Sequence, residues 1–289
     1  MAHLIFYRGM VLMSYLSIMR ALGGQPVSEL LNRVKASIRK NPGDADLRAQ
    51  LFQLLVITGD WDKAFDQLTL SAEMNAQAQP LAVAYGGAIR AEQEREAVFR
   101  GETIPAVLAQ PPAWMAMLIE ALKTPDEEQA AGLRAVAMEK APGSIGQLDI
   151  DGQDNALSFE WICDGDGRIG PVCELIVNGR YGWVPFESIA SIRFIAPQGL
   201  TDLVWAQVEV DMQDKRQYTG LMPVRYPAPA GSSYARLDDA ANLSRRTEWQ
   251  YCSEQVYLGI GQKMWMTANS EQAILDVRRV VFNHEAKNG

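Results

Sequence analysis

The sequence predicts an α+β protein, with tandem helical hairpins in its first half and a β-rich domain in its second half. Three observations lead to this prediction. Apolar residues recur at helical spacing from Pro26 to about residue 139. After Pro142-Gly143 that spacing stops, and glycine, aromatic and β-branched residues become frequent. Short runs with strand character then alternate with turn signals, of which Asn178-Gly179 is the strongest.

Helices account for the first half. One is predicted over residues 26–40, and Asn41-Pro42-Gly43-Asp44 ends it, with Asp44 as the N-cap of the next. The others are predicted over residues 45–58, 61–74, 79–99, 112–122 and 125–139. Stacked helix pairs bury a shared core and leave one concave face open, which is typical of scaffolds that bind peptides or helices.

The hairpin from residue 41 to 76 resembles a tetratricopeptide repeat. Gly59 takes the turn position, Trp61 follows it, and Ala64 supplies the small residue that the helix crossing requires. Phe52 and Ala76 depart from the repeat pattern. One full and one half repeat are predicted, so we expect this unit to depend on the later helices and on the β-rich half for stability.

The second half is predicted to be mostly strands, with one short helix around residues 235–243. Strands are expected over residues 148–150, 157–163, 171–177, 183–185, 189–195, 203–212, 216–223, 259–266 and 274–281. The resulting division is an extra N-terminal segment over residues 1–22, a helical domain over 23–143 and a β-rich domain over 144–289.

The segment of residues 1–22 is apolar but contains Arg8 and Arg20. Its uncharged run, Gly9–Met19, is too short to span a bilayer. An upstream start codon, an extra helix and, less favoured, an export signal are the open interpretations.

Composition excludes several functions. The net charge is −8, without a basic stretch, which excludes general nucleic-acid binding. The two histidines, His3 and His284, lie near the chain ends, so a histidine-based triad or a histidine-rich metal site is not expected. The three cysteines have no metal-type spacing and favour a reducing compartment. We expect no cofactor and no membrane partner.

Asp164-Gly165-Asp166-Gly167 begins like a calcium loop. Its fifth and twelfth positions are Arg168 and Leu175, which cannot serve as ligands there, so turn and cap roles are predicted instead. An enzyme site around Asp164, Asp166, Arg168 and Glu174 is the runner-up interpretation. The arginines and tryptophans of this half indicate either a cation–π or phosphate surface or, as we favour, internal ion pairs.

An ordered series of short motifs is more specific. It includes Gly59-Asp60-Trp61, Pro111-Pro112-Ala113-Trp114, Phe159-Glu160-Trp161, the run Asp164–Pro171, Asn178-Gly179-Arg180-Tyr181, Trp183-Val184-Pro185-Phe186, Pro223-Val224-Arg225-Tyr226 and Arg245-Arg246-Thr247-Glu248-Trp249. The series resembles the ImpE family, also called SciE-type or TagJ proteins, over about residues 21–281. The motif residues are Trp61, Trp114, Trp161, Asp164, Asp166, Arg168, Arg180, Trp183, Arg225, Arg245, Arg246 and Trp249.

The resemblance implies a cytoplasmic, non-catalytic accessory protein of the bacterial type VI secretion system. The implied partner is the N-terminal helix of the small contractile-sheath subunit (TssB/VipA), with an influence on sheath assembly or disassembly. By repeat geometry, Asp46, Ala49, Gln53 and Val56 are predicted to face the concave side and contact that helix. A tetratricopeptide-type chaperone for a secreted effector is the other alternative. The oligomeric state is left open.

Overall fold

The computed structural model of the chain describes residues 24–229, 231–253 and 256–283. The extra segment predicted over residues 1–22 lies outside the described residues. Helices dominate the first part and strands the second, so the predicted α+β class is confirmed.

The helices of the first half match the predicted ones to within about two residues. They are α1 (Val27–Lys40), α2 (Ala45–Ile57), α3 (Trp61–Met74), α4 (Gln79–Phe99), α5 (Ala113–Lys123) and α6 (Glu127–Lys140). Asp44 caps α2 as predicted, because its side chain accepts hydrogen bonds from the backbone N–H groups of Asp46 and Leu47. Gly59 makes the α2–α3 turn at a φ of 67°, and Ala64 is fully buried.

Nine strands form one large sheet in the order β1-β6-β5-β9-β8-β7-β14-β2-β3. Their bounds are β1 (Ala106–Val107), β2 (Gly146–Ile150), β3 (Leu157–Phe159), β5 (Val172–Val177), β6 (Arg180–Pro185), β7 (Ile189–Phe194), β8 (Trp205–Met212), β9 (Gln217–Pro223) and β14 (Val277–Phe282). The β1–β6 pair is parallel, and the other neighbours are antiparallel. The predicted hairpin at Asn178-Gly179 is the β5–β6 turn, with positive φ at both residues.

Two small sheets complete the fold. One has the order β13-β12-β4, formed by Glu271–Ala273, Met264–Thr267 and Ile162–Asp164. The other pairs β10 (Thr247–Ser253) with β11 (Val256–Gly261), and α7 (Asp239–Asn242) precedes it.

Two strand predictions need correction, and three strands, β1, β10 and β13, were not predicted. The strand predicted over residues 157–163 is divided between β3 and β4, which belong to different sheets. The strand predicted over residues 259–266 is likewise divided between β11 and β12. The apolar pattern continues through a bend of the chain, so the pattern alone does not show where a strand changes sheet.

The two halves share one hydrophobic core. Trp61 of α3 and Tyr85 of α4 both pack against Trp205 of β8, with ring centroids 5.9 Å apart in each pair. Gly87 of α4 and Gly179 of the β5–β6 turn touch backbone to backbone, so that a Cβ on either would lie within 3.0 Å of the other's Cα. Helix α4 is therefore held against the large sheet along much of its length.

Candidate functional site

A cluster of five buried charged residues lies where α4 meets the strands. We call Glu92, Arg95, Asp164, Glu174 and Lys263 the ionic cluster; each has at most 3% of its surface exposed. Arg95 donates to both carboxylate oxygens of Glu174, over 2.7 Å from Nε and 3.1 Å from Nη2. It also contacts Glu92 at 3.3 Å. Lys263 Nζ lies 2.5 Å from Glu174 and 2.6 Å from Asp164.

Two aromatic residues complete the surroundings of Glu174. The hydroxyl of Tyr181 donates to Glu174 Oε1 over 2.6 Å, and Trp183 Nε1 donates to that hydroxyl over 2.7 Å. Glu92 accepts a further bond from Trp205 Nε1 at 2.9 Å. Every charge of the cluster is thus paired and hydrogen-bonded, as buried charges require.

The pKa values of Glu174 and Asp164 follow from their burial and from the cations that each carboxylate has as partners. Burial alone would raise the pKa of Glu174, but Arg95 and Lys263 outweigh it and hold that pKa well below its usual range. Burial raises the pKa of Asp164 to about 6 against the pull of Lys263, and the nearby Glu174 adds to the rise. Lys263 is shared between both carboxylates whereas Glu174 also has Arg95, so Asp164 is the less stabilised anion.

The predicted turn roles of the aspartates are present in the loop after β4. Asp164 Oδ1 accepts from the backbone N–H of Asp166 at 2.9 Å, and Asp166 Oδ1 accepts from the N–H of Arg168 at 3.0 Å. Arg168 also forms an ion pair with Asp166 and lies over the ring of Phe99, 4.5 Å from its centroid. The four residues of the enzyme alternative do lie near one another, but their polar groups bond within the protein.

Arg225 is buried and bonds to backbone carbonyl oxygens. Its Nη1 donates to the carbonyl oxygens of Ile57 (2.6 Å) and Asn242 (2.9 Å), and its Nη2 donates to Val56 O (3.2 Å). The guanidinium lies 4.3 Å from the ring centroid of Tyr234. Burial lowers the pKa of Arg225 from its ordinary value. The residue therefore caps the C-terminus of α2 and ties it to the β-rich half.

The other motif residues are dispersed. Trp61, Trp114 and Trp183 are buried, and Trp114 Nε1 donates to Glu187 at 2.9 Å. Arg180, Arg245 and Arg246 are exposed, and Arg246 pairs with Asp238 and Glu248. Trp161 and Trp249 are 40% and 37% exposed. The structure thus brings together Asp164, Asp166 and Arg168, with Trp183 bonded to Tyr181 beside Glu174 and Trp249 packed on Gly165. The remaining motif residues support separate parts of the fold.

The four residues predicted to contact a partner all lie on α2. Asp46 is exposed, and Ala49 and Gln53 are half-buried. Val56 is fully buried, and its carbonyl oxygen accepts from Arg225. The prediction of an accessible Val56 is therefore corrected, because this end of α2 packs against the 3₁₀ turn Leu200–Leu203 of the β-rich half. The roles of Asp46, Ala49 and Gln53 stay predictions.

A surface groove runs between α3 and α4. This α3–α4 groove is lined by Asp62, Phe65, Asp66, Ile89, Arg90 and Gln93. Phe65 is 37% exposed and packs against Gly86, while the guanidinium of Arg90 lies 5.8 Å from its ring centroid. Val83 lies seven residues, or about two helical turns, before Arg90 and is 75% exposed. It therefore extends the apolar surface along the same side of α4. Asp62 and Asp66 add negative charge to one rim.

Sequence reasoning did not find Glu92, Arg95 or Lys263. Glu92 and Arg95 lie in a stretch rich in alanine, glutamate and arginine, which has the composition of a solvated helix face. Their spacing of three residues was the available signal, because it places them on one side of α4. Lys263 follows Gly259 and Gly261, and nothing in that stretch distinguishes it from a surface lysine.

Among the described residues, no group of three or more histidine, cysteine, aspartate or glutamate side chains is arranged to hold a metal ion. Within the same part of the chain, the helices fall short of the length and apolar character that crossing a membrane requires.

Known proteins resemble this chain in both its helical and its β-rich half. The family model described as ImpE protein matches residues 156–281. The type VI secretion system accessory component TagJ of Pseudomonas aeruginosa is 36% identical over 259 residues, which are 89% of this chain and 87% of that protein. The crystal structure of protein VPA1032 from Vibrio parahaemolyticus has a TM-score of 0.81 at 27% identity, covering 93% of this chain and 98% of that chain.

Proposed function

The chain belongs to the ImpE family, and from this membership we propose that it is an accessory component of type VI secretion that acts as an adaptor rather than an enzyme. The observation that carries the proposal is the likeness to the Pseudomonas accessory component, which extends over the helical and the β-rich halves alike. We further propose that it works in the bacterial cytoplasm and binds the N-terminal helix of the small contractile-sheath subunit. Through that contact it influences assembly or disassembly of the sheath.

The burial and ion pairing of the carboxylates support the proposal of an adaptor. Asp164, Asp166 and Glu174, the acids of the enzyme alternative, are buried and each is engaged by a cation. An acid or base in catalysis must reach a proton on its substrate, and these groups have no accessible surface from which to do so.

The α3–α4 groove is the docking surface that we propose for the sheath helix. Its exposed residue Phe65, together with Val83 further along α4, suits the apolar face of an amphipathic helix. The carboxylates of Asp62 and Asp66 suit basic residues beside that face. The α2 residues Asp46, Ala49 and Gln53 offer less apolar surface.

Co-purification from cells that express both proteins tests the proposal. We expect the full chain to retain the small sheath subunit and to lose it when the N-terminal helix of that subunit is deleted. Retention after the deletion would show that the helix is not the bound element.

Point variants then locate the surface. We expect Phe65→Asp to weaken retention by at least about tenfold, because a buried apolar anchor becomes a charge. Ile104→Asp is the matched control, since Ile104 is 57% exposed and lies outside the groove. Retention that is lost with Gln53→Arg and kept with Phe65→Asp would instead place the helix on the α2 face.

A further inference from the structure

Among the described residues, the outer edge of β10 is the longest strand edge that has no neighbouring strand. The outer strands of the other two sheets are short: two residues in β1 and three each in β3, β13 and β4. β10 has seven residues and, within the described part of the chain, pairs only with β11. Proteins protect sheet edges by short strands, lysine, proline or bulges. β10 has no lysine or proline, and Glu248 is its single charge. Its register shift lies at the far end, between Tyr251 and Ser253, so residues 247 to 251 form a regular edge.

The register shows which backbone groups point outward. Gln262 N–H donates to Arg246 O, so residues 246 and 262 form a hydrogen-bonded pair of the hairpin. Hydrogen-bonded and non-bonded pairs alternate in an antiparallel ladder, and Thr247, Trp249 and Tyr251 are opposite Gly261, Gly259 and Tyr257 at non-bonded positions. The N–H and C=O groups of these three β10 residues therefore point away from β11.

The opposite edge of the hairpin, formed by β11, is covered by other backbone segments of the protein. Tyr257 O accepts from the N–H of Gly167 at 3.0 Å, and Gly261 O accepts from the N–H of Tyr226 at 2.9 Å. The corresponding groups of Thr247, Trp249 and Tyr251 have no such backbone partner within the described residues. The β11 edge is thus hydrogen-bonded to the rest of the protein, whereas the β10 edge is left open.

Aromatic side chains lie beside the free edge. Trp249, Tyr251 and Tyr257 share one face of the hairpin and are 37%, 63% and 48% exposed. Trp249 is fixed by packing on Gly165 and against Tyr226, at 5.7 Å between ring centroids. Tyr251 meets Tyr257 edge-on at 5.8 Å. The rings are therefore held in place yet open to a ligand.

Charge on the other face of the strand is negative on balance. Arg246 is shared between Glu248 and Asp238, at 3.1 Å and 2.7 Å. Glu127, which lies beside the far end of β10 and accepts from Ser253, is already paired with Arg134 and adds no net charge. A residue placed opposite Glu248 would therefore be favoured if it were basic.

We propose that β10 binds an extended peptide segment of another protein as an additional strand. The segment alternates apolar or aromatic residues, which contact Trp249 and Tyr251, with basic residues, which face Glu248. Main-chain hydrogen bonds to Thr247, Trp249 and Tyr251 supply affinity, and the alternation supplies register. This site lies in the β-rich half, goes beyond the proposed docking of a helix, and does not depend on it.

Amide hydrogen exchange on the full chain, followed by NMR, tests the free edge. In the chain alone we expect fast exchange at Thr247, Trp249 and Tyr251 and slow exchange at Glu248 and Gln250. The probe is a synthetic peptide selected from a random twelve-residue display library on the full chain, which we expect to slow the three fast amides. Slow exchange at these amides in the dilute, unliganded chain overturns the proposal.

A pair of variants separates backbone pairing from ring contact. Tyr251→Pro removes the ring together with an outward N–H, and it should weaken the selected peptide about tenfold beyond the loss seen with Tyr251→Thr, which loses the ring but keeps that donor. Equal loss in both variants means that the rings alone bind, and no added strand forms. A library that yields no peptide sensitive to Tyr251→Pro also overturns the proposal. Protection that appears with rising protein concentration and without peptide identifies a second copy as the occupant instead.

Discussion

Arg95 and Glu174 form a two-point ion pair that joins α4 to β5 across 79 residues of sequence. Both side chains are inaccessible to solvent. The pair stands between a helix of the first half and an interior strand of the large sheet, so it reports directly on whether the two halves fold as one unit.

Loss of this pair should destabilise the whole chain. Arg95→Met leaves Glu174 with a missing partner in the core, and we expect the free energy of unfolding to fall by about 3 kcal/mol. Urea unfolding followed by circular dichroism measures the change. Arg100→Met is the control, because Arg100 directly follows the same helix but is 49% exposed, and its loss should cost less than about 0.5 kcal/mol. Equal effects of the two variants would contradict the structural role of the cluster.

Asp164 should give the stability a distinct dependence on pH. Its pKa is about 6 in the folded chain against an ordinary value of 3.8, so the folded chain holds the proton more tightly than the unfolded chain does. Its contribution to the free energy of unfolding therefore rises as the pH falls from 7 through 6 toward 4. Glu174 has the opposite sign, but its contribution is lost only below its ordinary pKa of 4.5.

The free energy of unfolding, measured at pH 7 and pH 5 in the natural chain and in Asp164→Asn, isolates the contribution of Asp164. Between these values we expect Asp164 to contribute about 1 kcal/mol, and Asp164→Asn should abolish that part of the change. The same pH dependence in the variant and the natural chain would show that another group titrates in this range.

Arg225 should be sensitive even to a conservative change. A lysine has one nitrogen and cannot reach the carbonyl oxygens of Val56, Ile57 and Asn242 together, so Arg225→Lys should cost about 2 kcal/mol. Hydrogen exchange should also become faster in the last turn of α2. Arg216→Lys, at an exposed turn, serves as the reference and should leave both measurements unchanged.

Gly59 should tolerate no side chain, for two separable reasons. Its φ is 67°, and a Cβ would lie 2.5 Å from the ring of Tyr234. Gly152 has a φ of 73° but nothing within 4 Å, so Gly152→Ala measures the backbone strain alone, about 1 kcal/mol. Gly59→Ala should cost about 2 kcal/mol more, because Tyr234 must move. Thermal unfolding of the two variants compares them; similar values would mean that Tyr234 shifts freely.

Local signals in the sequence predicted most of the secondary structure. The positions of α1 to α6, the N-cap at Asp44 and the β5–β6 turn depend on residues within a few positions of each other. Strand register and sheet membership depend on distant segments, so the division of residues 157–163 and the hairpin β10–β11 were not predicted. For the candidate site, the sequence indicated Asp164, Asp166 and Glu174 but not the cations that neutralise two of them.

The sequence by itself determined the helices, the turns and the ordered motifs that identify the family, because spacing along the chain is enough to define each of these. Only the tertiary structure decided which charges are buried. Glu92, Arg95 and Lys263 have the composition of surface residues, and they become a buried cluster only when α4 is pressed against β5 and β12. Burial is a property of segments brought together from far apart, and it makes the same ion pair matter far more than it would in water.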